Sequence, residues 1–372
     1  MPIKKTLKIG IVAGEHSGDR LGAGIIQALK SQNDIELFGV GGPKLIAQGL
    51  ISEFDFKKLN MMGIIEPLLN FKELNSLRKK LIKLFKEKEI DYFIGVDSPD
   101  FNMAIHKNMK AAKTSKNIQL VSPSVWGWRE NRIKSIEKYI DLTVCLFNFE
   151  HDFYNKKNLN SAHLGHPFSN LIPNEKLDVI NKFNLDESKK FIAILPGSRK
   201  SEIKNILPTY IEFIRKHFEK YNDFNYLIPV ADKISKDLIE KEFFFHDLPI
   251  KIGINCSREF LSISDFSVVT SGTATLEAAV LGAEPIICYK TSKLNYFILS
   301  RMLKVSHIGL PNLLLNQRRF PELVQQEATS STILKEAEFI QNQKSKSFIA
   351  EELRDLLHGE GNTKTAEKIL LL

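Results

Sequence analysis

Short apolar runs recur along this chain, each closed by glycine or small polar residues and followed by a stretch of helical periodicity. The first, Leu7 to Ala13, passes into Gly14-Glu15-His16-Ser17-Gly18-Asp19 and then a helical pattern through Leu29. Strand, tight loop and helix in that order open a parallel α/β sheet. Similar units begin at Ile35 to Val40, Tyr92 to Val96, Ile118 to Val121 and Leu142 to Leu146. Together they predict a doubly wound domain over residues 1–165. The stretch from His166 to Asn174 carries Pro167 and Pro173 and little periodicity, so it reads as a linker. A second series follows at Phe191 to Leu195, Tyr226 to Pro229, Phe266 to Thr270 and Pro285 to Tyr289, predicting a second domain over 166–330. Residues 331–372 read as a helical C-terminal tail, with a last helix after Gly359-Glu360-Gly361-Asn362. The expected fold class is α/β: two Rossmann-like, doubly wound domains facing each other across a cleft.

Composition narrows the partners more than the fold. With 372 residues, 43% of them hydrophobic, the chain is long enough for two ordinary cores. Its 52 Lys and Arg against 44 Asp and Glu leave a formal charge of +8, scattered rather than gathered in a tail. That balance points to acidic partners such as nucleotide diphosphates, sugar phosphates or an anionic membrane surface, while solvated lysine-rich helix faces account for much of it. Nucleic acid is not expected, because basic and aromatic residues do not interleave as a stacking surface requires. Cys145, Cys256 and Cys288 are far apart and lack metal-ligand spacing, so reduced thiols are expected, with no disulfide and no metal. The basic start is followed by an apolar run broken at Gly10, Gly14, Glu15 and Asp19, which does not make a signal peptide. No eighteen mostly apolar, uncharged residues occur together, so any membrane contact is expected to be peripheral.

Three loops carry candidate chemistry. In the run Val268 to Ala278 a buried strand ends in Ser271-Gly272-Thr273, and small hydroxyl residues open the next helix. Free backbone N–H groups and the positive helix end make such a terminus an anion site suited to a pyrophosphate, with Glu277 one turn in as a ribose acceptor. A Ser/Thr cap serving stability alone fits the same pattern equally well. The second loop is Pro196-Gly197-Ser198-Arg199, where glycine permits close approach and Arg199 offers a forked donor; a solvated arginine is the plainer alternative. Neither is a Walker A loop, and Gly39-Val40-Gly41-Gly42-Pro43 lacks the third glycine of a dinucleotide fingerprint. The third loop, Gly95-Val96-Asp97-Ser98-Pro99-Asp100, puts two carboxylates at the carboxyl end of a strand. Asp97 comes straight off the strand and is the candidate general base, whereas Asp100 precedes a helix and fits a cap. Glu15, His16 and Asp19 in the first loop are placed to support Asp97, or simply to pack.

These loops carry a family resemblance. Ala13 to Asp19, Gly41-Gly42-Pro43, Asp97 to Asn102, Val121 to Arg129 with Trp126 and Trp128, and Leu164-Gly165-His166 stand in the order and spacing of the lipid-A-disaccharide synthases. So do Leu195 to Arg199, Ser271 to Glu277 and Leu310-Pro311-Asn312-Leu313, and the resemblance extends over about residues 7–330. After Asn312 the chain departs from the family pattern, with Leu315-Asn316-Gln317-Arg318-Arg319-Phe320 in place of a small-Gly-Arg run. The resemblance implies a GT-B glycosyltransferase joining UDP-2,3-diacylglucosamine to 2,3-diacylglucosamine 1-phosphate through a β(1→6) link, with release of UDP, no metal and no cofactor. It implies catalytic roles for Asp97 and Glu15, and substrate contacts at Gly197, Ser198, Arg199, Ser271, Gly272, Thr273, Thr275, Glu277 and Asn312.

Acyl chains need apolar surface. The stretch from Leu59 to Leu69 supplies Met61, Met62, Ile64, Ile65, Leu68 and Leu69 as candidates for acyl or bilayer contact. Leu74, Leu77, Leu81, Leu84 and Phe85 mark a helical stripe among basic residues, which fits either an interfacial helix on anionic lipid or a helix packed on the sheet. Lys293 to Lys304 is a further basic, apolar segment. The resulting expectation is a cytoplasmic protein peripherally associated with the anionic inner membrane surface, its oligomeric state left open. A UDP-sugar epimerase of the same fold and a non-catalytic lipid-binding module are the competing readings.

Overall fold

The computed structural model describes residues 6–56, 59, 71–125, 132–243, 245, 247–290, 307–342 and 348–372. They form two compact units: Met1–His166 with Leu357–Leu372, and Pro167–Leu356.

The first unit holds β1 (Leu7–Ala13), β2 (Ile35–Val40), β3 (Ile51–Ser52), β4 (Tyr92–Val96), β5 (Lys116–Leu120), β6 (Leu142–Cys145) and β7 (Ser161–His163). They form one sheet in the order β3-β2-β1-β4-β5-β6-β7, every paired strand parallel. The second unit holds β8 (Lys190–Leu195), β9 (Phe224–Val230), β10 (Ile250–Ile254), β11 (Phe266–Thr270), β12 (Glu284–Tyr289) and β13 (Glu322–Val324), ordered β10-β9-β8-β11-β12-β13 and again parallel. Helices cover such sheets on both faces, which is why the central strands are continuously apolar rather than alternating.

Helix packing decides the role of the basic, leucine-striped segment. In the helix Phe71–Lys88, Leu81 and Phe85 are fully buried, and Leu74, Leu77 and Leu84 pack on the core made by Val12, Val40, Phe93, Ile105 and Met109. Lys72, Lys79, Lys80, Lys83 and Lys86 are exposed on the other side, and Lys88 at the helix end lays its ammonium over the Phe38 ring at 5.1 Å. Of the two readings of the stripe, the helix packed on the sheet is the one the structure has, and full burial of Leu81 and Phe85 contributes about 1.5–3 kcal/mol each. Leu59, at the start of the candidate acyl-contact stretch, belongs to the same core.

The C-terminal stretch is helical, and its helices are divided between the units. Ser330–Asn342 lies on the long helix Lys200–Lys220, tied by Lys220 to Glu338 at 2.6 Å and Lys216 to Ser330 at 2.9 Å. Gly361–Leu370 packs on the first unit's helix His16–Lys30. Cys145, Cys256 and Cys288 are buried free thiols.

Candidate active site

In an open parallel sheet, ligands bind outside the carboxyl ends of the two strands at which the chain order reverses. Here those pairs are β1 with β4 and β8 with β11. Their last rungs, Ala13 beside Val96 and Leu195 beside Val269, bring four loops together in two pairs: Gly14-Glu15 with Asp97-Ser98, and Gly197-Arg199 with Ser271-Thr273. Every loop singled out for chemistry leaves a switch-point strand.

In the first unit Glu15 is exposed at the start of the helix His16–Lys30, and His16 meets Phe56 edge-on at 5.1 Å. Asp19 does something else. It is 1% exposed, one oxygen accepts the N–H groups of Gly42 (2.8 Å) and Leu45 (3.0 Å), and the other accepts that of Lys44 (2.9 Å). Its carboxylate caps the Pro43–Ala47 helix and shapes the Gly41-Gly42-Pro43 turn, so support of Asp97 is not its task.

Asp97 comes directly after β4 with φ 48°, and Ser98 follows at φ 40°. Two successive non-glycine residues in the left-handed region are costly, by about 1–3 kcal/mol each, and such strain collects at functional sites. Burial pushes the half-buried Asp97 carboxyl above its ordinary value of 3.8, partly opposed by a hydrogen bond from the Ser98 backbone. Asp100, by contrast, is exposed in the first turn of the helix Pro99–Ala112 and is ion-paired with Arg132. The two carboxylates that the sequence placed together thus have different surroundings.

Below the Asp97 turn lies a group that the sequence reading missed. Gln119, buried on β5, donates its amide to the carbonyls of Asp97 (3.1 Å) and Val121 (3.2 Å). Asn102 donates to the carbonyls of Val96 (3.3 Å) and Asp97 (2.8 Å). His106 lies 3.1 Å from the Gln119 oxygen through Nε2. Gly95 admits these groups: a Cβ there would lie 2.9 Å from His106 Nε2 and from Asn102 Cβ. The signal was a glutamine inside the otherwise apolar Ile118 to Val121 run.

In the second unit Gly197 has φ +104°, a conformation that excludes most side chains, and a Cβ there would lie 2.6 Å from Glu202 Oε2. That same oxygen accepts the N–H groups of Ser198 and Arg199, each at 3.2 Å, so the loop is folded over the first turn of its helix. The Arg199 side chain is 70% exposed, with one guanidinium nitrogen 3.3 Å from Glu202 Oε1. Its remaining donors face outward. Gly272 and Thr273 are exposed at the start of the helix Thr273–Val280, whose first N–H groups have no partner within the helix. Thr275 and Ser271 turn inward, their hydroxyls donating to the carbonyls of Gly272 (2.7 Å) and Ile308 (3.0 Å). Glu277 accepts from Arg258 at 3.0 Å.

Asn312 is wholly buried. Its nitrogen donates to the Phe320 carbonyl (2.9 Å) and Glu322 (2.8 Å), while its oxygen accepts the N–H groups of Arg319 and Phe320, both at 2.9 Å. All four hydrogen-bonding positions of the amide are filled from within the protein, so Asn312 ties the helix Leu310–Leu315 to the turn that leads into β13. Met61, Met62, Ile64, Ile65, Leu68 and Leu69 lie outside the described residues, as do Trp126, Trp128 and the Lys293 to Lys304 segment.

Among the described residues no helix is long and apolar enough to cross a membrane, and no three His, Cys, Asp or Glu side chains gather as a metal site. The sequence profile of lipid-A-disaccharide synthetase matches residues 9–371. A lipid-A-disaccharide synthase of Acinetobacter baylyi is 36% identical over 354 residues, covering 90% of this chain and 88% of that one. A lipid-A-disaccharide synthase 2 of Legionella pneumophila (strain Lens) is 35% identical over 378 residues, covering 99% and 97%. The chain belongs to the lipid-A-disaccharide synthetase family. It is accordingly an enzyme of glycosyltransferase type with the GT-B fold, and solved structures agree on the fold. The S. aureus MnaA-UDP co-structure aligns with TM-score 0.61 at 13% identity, over 98% of this chain and 95% of that one. A glycosyltransferase from Rickettsia africae aligns with TM-score 0.57 at 14% identity, over 99% of each.

Proposed function

We propose that this family member transfers 2,3-diacylglucosamine from UDP to the 6-hydroxyl of 2,3-diacylglucosamine 1-phosphate, inverting the anomeric centre to give a β(1→6) disaccharide and UDP. The observation that carries the reading is the pairing of chemistries at the two switch points, a desolvated carboxylate in one unit and outward-facing anion donors in the other.

Asp97 takes the proton of the acceptor hydroxyl as its oxygen attacks the anomeric carbon. General-base catalysis of this kind contributes about two to four orders of magnitude, most when the base's pKa is lifted toward the working pH, and burial lifts that of Asp97. As the bond from the anomeric carbon to phosphate breaks, UDP leaves with its electron pair. The Thr273–Val280 helix terminus and Arg199 meet that charge with donors already in place. A single displacement inverts the carbon. Glu15, on the loop beside Asp97, assists on the acceptor side. The acyl chains are received by the Met61 to Leu69 segment at the anionic inner-membrane surface, toward which the +8 charge also draws the protein.

Incubation with both diacylated sugars, followed by mass spectrometry, tests the reading. One tetraacyl disaccharide phosphate for each UDP released is expected. A product with UDP still attached to an isomerised sugar would instead indicate an epimerase.

A further inference from the structure

Three left-handed residues meet at the carboxyl ends of adjacent strands: Asp97 (φ 48°) and Ser98 (φ 40°) after β4, and Val121 (φ 73°) after β5. A β-branched residue at positive φ is a stronger outlier than the others. Both strand ends are held from beneath by one side chain. The Gln119 amide nitrogen lies 3.1 Å from the Asp97 carbonyl, 3.2 Å from that of Val121 and 3.4 Å from that of Leu120. Because this nitrogen faces carbonyls, the Gln119 oxygen faces His106, and His106 Nε2 must carry the hydrogen in their 3.1 Å contact. The histidine sits fully buried against Phe93 at 4.7 Å, and burial holds its pKa down at about 4, so the ring is neutral and presents that single donor. Asn102 grips the Val96 and Asp97 carbonyls from the helix.

Such a group is a poor way to stabilise a core. Asn102 Oδ1 and His106 Nδ1 are buried with no partner among the described residues, and an incompletely satisfied polar network is worse for stability than apolar packing. What the network does is fix carbonyl directions in a strained turn, and with them the direction in which Asp97 leaves the strand. We propose that Gln119, oriented by His106, is a positioning residue for Asp97: it holds the two strand ends in the conformation that presents the carboxylate to the acceptor hydroxyl. This inference rests on the reading of Asp97 as the base.

The test compares Gln119→Met, His106→Gln, His106→Leu and Asp97→Asn in the full chain, with turnover followed over a range of both diacylated sugars up to saturation. Gln119→Met keeps the volume and removes the donors, so kcat should fall about ten- to a hundredfold, the scale of a misplaced catalytic group, with KM and UDP affinity unchanged. His106→Gln keeps a donor near the Nε2 position and should restore most of the turnover that His106→Leu loses. His106→Leu also serves as the reporter if Gln119→Met does not fold. In an Asp97→Asn background, Gln119→Met should lower kcat little further, since it acts through the missing carboxylate. Native kcat in both Gln119→Met and His106→Leu, beside a collapse in Asp97→Asn, would overturn the positioning role and leave the base intact. An equal loss from Gln119→Met with and without the Asp97 carboxylate would show that Gln119 acts elsewhere. Near-native turnover in Asp97→Asn would remove the base and the positioning role together.

Discussion

Arg132 donates to the carboxylate of Asp100, three residues past Asp97 and one helical turn away from the strained strand end. The pair is held on the surface, with the Asp100 side chain 78% exposed, and exposed ion pairs contribute only about 0–1 kcal/mol. Asp100→Asn should therefore leave both the melting temperature and UDP binding nearly unchanged.

Asp97 carries the opposite expectation. Because its folded pKa lies above the ordinary 3.8, the folded protein binds more protons than the unfolded chain just above that value, and stability falls as pH rises through this window. At neutral pH the ionised carboxylate is a burden on the fold. Asp97→Asn should raise the melting temperature at neutral pH, with the gain shrinking as the pH is lowered toward the ordinary carboxylate value. A lower melting temperature at neutral pH would show that the carboxylate is favourably solvated.

Arg199 tests the nucleotide half. Its guanidinium is largely exposed and only loosely tied to Glu202. Arg199→Ala should weaken UDP binding by about 1.5–3 kcal/mol, the worth of a charged hydrogen bond, while chelator leaves activity intact. Unchanged UDP affinity by calorimetry would take Arg199 out of the site.

Asn312 should respond in stability rather than affinity. Asn312→Ala strands two backbone N–H groups, the Phe320 carbonyl and part of the Glu322 carboxylate in a buried loop, and should cost on the order of 3 kcal/mol by denaturant unfolding. A loss of UDP affinity with unchanged stability would return it to the binding site.

Acid should destabilise the protein through its buried histidines. Burial lowers both His106 and His217 from 6.5 to about 4, so between those values the unfolded chain binds more protons than the folded one. Stability present above 6.5 is lost on acidification, by about 1.4 kcal/mol per pH unit for each histidine. In His217→Gln the slope of unfolding free energy against pH should fall by one proton's worth. An unchanged slope would mean that His217 does not titrate with unfolding.

The strand ends that carry chemistry were legible because they combine an apolar run with small or polar closure: Leu7–Ala13, Tyr92–Val96 and Phe266–Thr270 lie where the pattern puts them. The left-handed turn at Val121 was not, since the residue's type favours a strand and its N–H still donates to Val144 of β6 at 3.0 Å, while its φ is 73°. The edge strand Ile250–Ile254 was missed because Lys251 and Gly253 break its pattern. Asp19 and Gln119 were harder still. The partners that give them their roles stand more than 20 residues away, at Gly42, Lys44 and Leu45 for Asp19 and at Asp97 for Gln119, and local spacing cannot show such pairings.

Everything proposed for the reaction turns on one carboxylate. Turnover to disaccharide should be measured for Asp97→Asn and Asp100→Asn side by side with both sugars saturating. Asn at residue 97 keeps the shape but cannot take the proton, so kcat should fall at least about a hundredfold, with Asp100→Asn within a few-fold of the native chain. Near-native turnover in Asp97→Asn together with collapse in Asp100→Asn would contradict the account and move the base to Asp100.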